Sequence, residues 1–215
     1  FACSDNLDEG FDDANPEIKE KLLKRVEIAS SEFNFLETYT FNYDSQDNLT
    51  SITKENNTLF FNYNEKGELT SFQGSDEFDD IIFNQLEDTY DVYEWGDVLK
   101  YDEKGNPCEV ELLQNRTFLG RIKDIYIAHI SYDPNPNPYF YSLKACGIIN
   151  VLNEVDLNFS YSPPKLVKAK KLLPFNYFNS IIVKELNGMT NSEIHFDNIY
   201  DEDLYLSKSN VTVIS

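Results

Sequence analysis

Phe41-Asn42-Tyr43-Asp44-Ser45-Gln46-Asp47-Asn48-Leu49-Thr50-Ser51-Ile52 is answered, twenty residues later, by Phe61-Asn62-Tyr63-Asn64-Glu65-Lys66-Gly67-Glu68-Leu69-Thr70-Ser71-Phe72. Each copy is an aromatic strand, a polar turn and a returning strand, which is one β-hairpin. Upstream of the first turn, Tyr39, Phe41 and Tyr43 alternate with Thr38, Thr40 and Asn42. That period of two puts the aromatic residues on one face of a sheet. Gln46-Asp47-Asn48 and Glu65-Lys66-Gly67 are turn clusters. One hairpin cannot bury its own apolar face, so repeated hairpins must stack on neighbours.

Moving outward, Leu99-Lys100-Tyr101-Asp102-Glu103-Lys104-Gly105-Asn106-Pro107 is a third copy. It returns through Cys108, Val110 and Leu112, with Glu109 and Glu111 on the opposite face. A fourth copy is expected to begin at Ile130-Ser131-Tyr132-Asp133 and to turn through an extended loop stiffened by Pro134, Pro136 and Pro138. Leu157, Phe159 and Tyr161 alternate again, as do Ile194 and Phe196, then Val211 and Val213. Residues 76–91 are acidic, with a helical pattern around residues 81–86. Residues 145–152 form a short apolar segment. Residues 16–31 carry two patterns. Asn15 as N-cap with Pro16 at the first helical position predicts a helix, whereas residues 22–28 also read as a strand with Val26 and Ile28 on one face.

The 215 residues suffice for one sizeable core or two small ones, and 41% hydrophobic with 14% aromatic content indicates a folded chain. The aromatic share comes from 14 Tyr and 16 Phe, residues that suit a pleated, half-buried surface. The formal charge of −20 repels nucleic-acid phosphates and argues against that class of partner. It favours solubility, cation association or attraction to a basic partner. The basic stretch at residues 165–171, beside Pro163-Pro164, reads as a solvated loop or a lysine-guarded strand edge.

Phe1-Ala2-Cys3-Ser4-Asp5-Asn6 resembles the end of a bacterial lipobox, in which a small residue precedes the cysteine that receives diacylglycerol. Cys3 is therefore the candidate lipid-attachment site, and residues 1–15 are expected to be a flexible lipoprotein tether. Of the three cysteines, Cys108 and Cys146 then remain. They are a candidate disulfide, worth about 4 kcal/mol by loop-closure entropy, or two unpaired cysteines.

The Tyr-Asp phrase, its Asp-Asn or Gly-Asn turn and the Leu-Thr-Ser-Ile return resemble the YD repeat of RHS-like proteins. Leu22-Leu23-Lys24-Arg25-Val26, the two early hairpins, Tyr132-Asp133-Pro134-Asn135-Pro136-Asn137-Pro138 with Gly147-Ile148-Ile149, Leu157-Asn158-Phe159-Ser160 and Asn198-Ile199-Tyr200-Asp201 extend the likeness. Together they resemble a group of lipoproteins of Bacteroidetes-type bacteria built from such hairpins. The resemblance covers most of the chain beyond residue 20. It implies an outer-membrane or cell-surface lipoprotein, supports Cys3 as its anchor, and favours a strand at residues 22–28. It supplies no activity.

Chemistry-bearing motifs are few. His129 and His195 each lie in a strand pattern and read as two unrelated polar-face histidines rather than a catalytic pair. Asp197, Asn198, Asp201, Glu202 and Asp203 crowd one turn and Asp76, Glu77, Asp79 and Asp80 another. Hard oxygen ligands at that spacing make Asp197, Asp201 and Asp203 the calcium candidates. Trp95 is a candidate platform for stacking on a sugar ring.

The expectation is a mainly all-β protein, an antiparallel hairpin meander forming one long curved sheet or two layers, with short helices at most. Residues 16–215 are expected to form a single domain. Its function is read as a lipid-anchored, non-enzymatic envelope module that binds an envelope protein complex or a surface glycan. The alternative is a polysaccharide-binding protein or glycoside hydrolase with paired carboxylates.

Overall fold

The computed structural model describes residues 6–30, 34–74, 94–115, 123–155 and 164–214. Residues 1–5, residues 75–93 with their acidic cluster, and the alternating Leu157-Phe159-Tyr161 segment lie outside the described residues. In chain order the elements begin with helix α1 (Leu7–Ala14), then strands β1 (Arg25–Ser30), β2 (Phe35–Tyr43), β3 (Leu49–Lys54), β4 (Asn57–Tyr63) and β5 (Leu69–Gln73). Strands β6 (Glu94–Tyr101), β7 (Pro107–Asn115) and β8 (Lys123–Pro136) follow. Next come helices α2 (Phe140–Ala145), α3 (Ile148–Glu154) and α4 (Pro164–Leu172), then β9 (Asn176–Glu185), β10 (Thr190–Tyr200) and β11 (Leu206–Ile214). The protein is mainly β, as its alternation predicts.

The chain divides into two compact units. One comprises Glu20–Gln85 and Tyr139–Glu154 and holds the five-stranded antiparallel meander β1-β2-β3-β4-β5. The apolar face of this sheet buries Tyr39, Phe41, Leu49, Ile52, Leu59 and Phe61. Helices α2 and α3 add Phe140, Ile148, Ile149 and Leu152 to the buried set. The chain therefore leaves this unit after β5 and returns to it for one helical hairpin. Gly147, between the two helices, has φ +79°, and a Cβ there would lie 3.0 Å from Leu69 Cβ. Glycine is needed for both the turn and the close approach.

The other unit comprises Phe1–Lys19, Leu86–Pro138 and Val155–Ser215. Its six strands pair in the order β11-β10-β9-β8-β7-β6, all antiparallel. One face packs Val110, Leu112, Ala128, Ile130, Ile181, Val183 and Ile194 with Leu172 of α4. The lysine-rich stretch is thus a helix that caps a core, not a loop or strand edge: Pro164 opens it, as a proline at the first helical position can.

Residues 7–14 are likewise not part of a tether. Leu7, Phe11 and Ala14 are buried, and the Phe11 ring meets Phe175 edge-on at 6.5 Å. Asn6 caps the helix by accepting the Asp8 N–H at 3.0 Å, with Asp8 and Glu9 in the first turn, where negative charge suits the helix dipole. Asn15 ends this helix rather than starting another: its N–H donates to Phe11 O. The strand expected at residues 22–28 begins at Arg25.

The repeated phrase has one physical solution. Asp44 Oδ1 accepts the N–H groups of Gln46 and Asn48, Asp47 adopts φ +62°, and a bulge follows so that Tyr43 faces Leu49. Asn64, with Gly67 at φ +79°, does the same for Lys66 and Glu68. Asp102, with Gly105 at φ +87°, does it for Lys104 and Asn106. A carboxylate or amide that closes on backbone two and four residues ahead is why Asp or Asn stands there. The fourth copy is at Tyr200-Asp201, where Asp201 Oδ1 accepts the N–H groups of Asp203 and Tyr205. It is not at Tyr132-Asp133, which β8 carries through with two register shifts against β9 and no turn.

Candidate interaction surface

The repeat tyrosines act as struts. The Tyr43 hydroxyl donates to Leu23 O at 2.8 Å and lies 2.8 Å from Ser142 Oγ. Tyr63 reaches Leu49 O, and Tyr101 reaches Lys171 O at 3.0 Å. Burial pushes the Tyr43 hydroxyl up to about 12. The Tyr43 phenol is therefore a protonated donor, and each of the three hydroxyls satisfies a carbonyl.

The sequence-level site residues disperse. Cys3 lies outside the described residues. Cys108 on β7 and Cys146 after α2 are free thiols in different units, so the structure holds no disulfide between them. Cys146 is fully buried, its Sγ donating to Leu143 O at 3.0 Å, and burial pushes its thiol up to about 12. That makes it an unreactive packing residue. Trp95 is placed on β6 opposite Leu112.

Each calcium candidate has another arrangement. Asp201 Oδ1 is occupied by its own turn, Asp203 pairs with Lys19 at 2.7 Å, and Asp197 stands within β10 opposite Asn210. Among the described residues no three His, Cys, Asp or Glu side chains converge as a metal site.

His129 and His195 occupy the outer face of the six-stranded sheet with the whole of β9 between them, roughly 10 Å apart at the backbone by strand spacing alone. Each faces its own glutamate: Glu109 at 3.9 Å from His129 and Glu193 at 2.9 Å from His195. An ionic cluster with shifted groups joins Glu37, Tyr39 and Lys54. Lys54 Nζ lies 2.9 Å from Glu37 and the Tyr39 hydroxyl donates to Glu37 at 3.0 Å. The Lys54 hydrogen bond lowers Glu37 against an opposing burial effect. Asp44 is lowered by its bond from the Asn48 side chain. Both carboxylates shift away from the raised value that a glycosidase general acid needs.

The sheet edges are more informative. Three of the four carry familiar protection against pairing with foreign strands. β1 presents Arg25 and Glu27, β5 is only five residues long, and the register of β6 against β7 breaks at three places. β11 is the least protected, with one lysine and one register shift, both at its start. It is nine residues long and pairs with β10 in unbroken register from Ile214 back to Lys208. It contains no proline, and Lys208 is its one charge. Val211 and Val213 are 50% and 62% exposed. They stand opposite Phe196 and Ile194, so they extend the apolar face at its margin. On the other face, Asn210, Thr212 and Ile214 stand opposite Asp197, His195 and Glu193. Among the described residues no strand pairs with the outer side of β11. The Val211-Val213 alternation is legible as a strand in the sequence, but its position at an edge is not.

No protein-family model matches the chain, and comparison with curated proteins gives no match.

Proposed function

We propose that this protein is a lipid-anchored component of the bacterial cell envelope that binds a partner protein by adding one of its strands to β11. The observation that carries the reading is the long, regular, almost uncharged edge of β11. Its unpaired backbone groups supply affinity, and the side chains on its two faces supply selectivity. Val211 and Val213 call for apolar guest side chains on one face. Glu193 and Asp197, one strand in on the other face, call for basic ones, and the net charge of −20 steers a basic partner toward the chain. The partner strand thus alternates β-branched and basic residues, and the partner is an envelope protein. Cys3, after Ala2, supports lipid attachment, which holds the protein at a membrane surface, on the outer membrane or the cell exterior.

A synthetic peptide of alternating Val and Lys binds the wild-type protein at least about tenfold more tightly than one of alternating Val and Glu. Val213→Lys abolishes that binding while leaving the melting temperature close to wild type, because the side chain is exposed. In cells making the full precursor, Cys3→Ser releases the protein from the membrane fraction. Equal binding of both peptides, or full binding by Val213→Lys, would refute the edge as the docking site.

A further inference from the structure

The five-stranded sheet has a solvent face of unusual chemistry. Thr40, Thr53 and Thr58 form one cross-strand row. The next row is Asn42, Ser51, Phe60 and Gln73, and Asn62 opposite Ser71 follows. In a chain of which 26% is charged, β2 to β5 direct no charged residue to this face from Thr38 to Gln73; its charges, Arg25 and Glu27, stand on the edge strand β1 opposite Thr40 and Thr38, on the far side of β2 and β3 from Phe60. The amides and hydroxyls are held in cross-strand pairs: Asn42 Nδ2 donates to Ser51 Oγ at 3.0 Å, Asn62 Nδ2 to Ser71 Oγ at 3.3 Å, and Thr53 and Thr58 hydroxyls meet at 3.3 Å. Using the amide N–H in this way leaves both Asn carbonyl oxygens available as acceptors toward solvent. Phe60 stands among them, 54% exposed, on a sheet whose opposite face buries Phe41, Ile52, Leu59 and Phe61.

We propose that this face binds a neutral polysaccharide, with the Phe60 ring stacked on the C–H face of one sugar while Asn42, Asn62 and Gln73 hydrogen-bond hydroxyls of that sugar and its neighbours. A neutral glycan matches the face in three respects. It presents hydroxyls that both donate and accept, as the Thr, Ser, Asn and Gln side chains do. It presents an apolar ring face for one aromatic side chain. It carries no charge, so binding requires no ion to be desolvated, whereas an anionic glycan meets the repulsion of a −20 chain. A protein partner is a poorer fit, since one exposed ring among amides and hydroxyls lacks the apolar centre of a protein interface. This site belongs to the five-stranded unit and is independent of β11, which lies in the other.

The test is affinity electrophoresis of the purified chain in gels containing dextran, starch, mixed-linkage β-glucan, galactomannan or alginate, at low and high salt. At least one of the four neutral polymers retards the protein, the retardation persists at high salt, and alginate gives none. Phe60→Ala weakens the interaction about tenfold, Thr53→Glu weakens it at least as much by placing a charge on the face, and Val213→Lys leaves it unchanged. Both test positions are outside the core, so unchanged melting temperatures separate lost binding from lost fold. Retardation by none of the neutral polymers, or retardation indifferent to Phe60→Ala and Thr53→Glu, overturns the proposal without touching the β11 reading.

Discussion

Asn106→Ala destabilises the six-stranded unit by about 3–5 kcal/mol in denaturant titration, more than truncating most apolar residues would. Asn106 is fully buried. Its Oδ1 accepts the backbone N–H groups of Phe175 at 2.7 Å and Asn176 at 3.0 Å, and its Nδ2 donates to Asn176 Oδ1 at 3.0 Å. Asn176 in turn donates to Asn15 Oδ1 at 2.9 Å and to Pro134 O at 3.0 Å, while Asn15 Nδ2 reaches Phe175 O. Three amides thereby join the end of α1, the β6–β7 turn, the end of β8 and the start of β9. Truncating Asn106 orphans two buried N–H groups and one amide oxygen, each costing about 1–3 kcal/mol. The control lies inside the repeat. Asn48 occupies the same place in the first hairpin and makes the same bond to its Asp, Nδ2 to Asp44 Oδ2 at 2.9 Å, but it is only half-buried and that bond is open to solvent. Asn48→Ala costs less than about 1 kcal/mol. Equal losses at the two positions would mean that the turn, not the buried network, is what Asn106 supports.

Phe11→Ala costs about 3–5 kcal/mol as well, because Phe11 is fully buried and its loss leaves a cavity against Phe175. The packing there leaves little room to relax. A Cβ on Gly10 would lie 2.6 Å from Phe175 Cζ, so the helix backbone already rests on that ring. Were residues 7–14 a flexible arm, the substitution would change the unfolding midpoint hardly at all. The melting temperature of this one variant therefore distinguishes a docked helix from a tether.

What the sequence reveals follows from the range of the interactions involved. The hairpins are legible because all their determinants are local: an aromatic alternation, an Asp or Asn that caps the next backbone groups, and a residue tolerant of positive φ. Even so, Tyr132-Asp133 carries the phrase without the turn, since Asn176 Nδ2 donates to Pro134 O and Asn135 O and extends β8 to Pro136. The true fourth turn uses Leu204 at φ +69°, where neither Gly nor Asn signals it. Helix α1 hides because Leu7, Phe11 and Ala14 are scattered among Asp8, Glu9, Asp12 and Asp13, a composition that reads as solvated. Only the distant Phe175 makes their spacing meaningful. The Asn15–Asn106–Asn176 network spans 161 residues and leaves no local trace. The assignment of residues 139–154 to the first sheet, and of β11 to an edge, are facts of topology that no window of sequence contains. Phe60, inside the apolar run Leu59-Phe60-Phe61, carries no sign of facing solvent, and the continuity of the rows around it across β2 to β5 depends on register.

The account stands most directly on β11 as a strand acceptor, and amide hydrogen exchange of the protein with and without the alternating Val/Lys peptide measures that. Added peptide slows exchange of outward-facing amides within residues 207–214 by at least about tenfold, with smaller changes on β10 and none on the edge strand β6. Protection confined to other strands, or peptide binding that leaves β11 exchange unchanged, would contradict it.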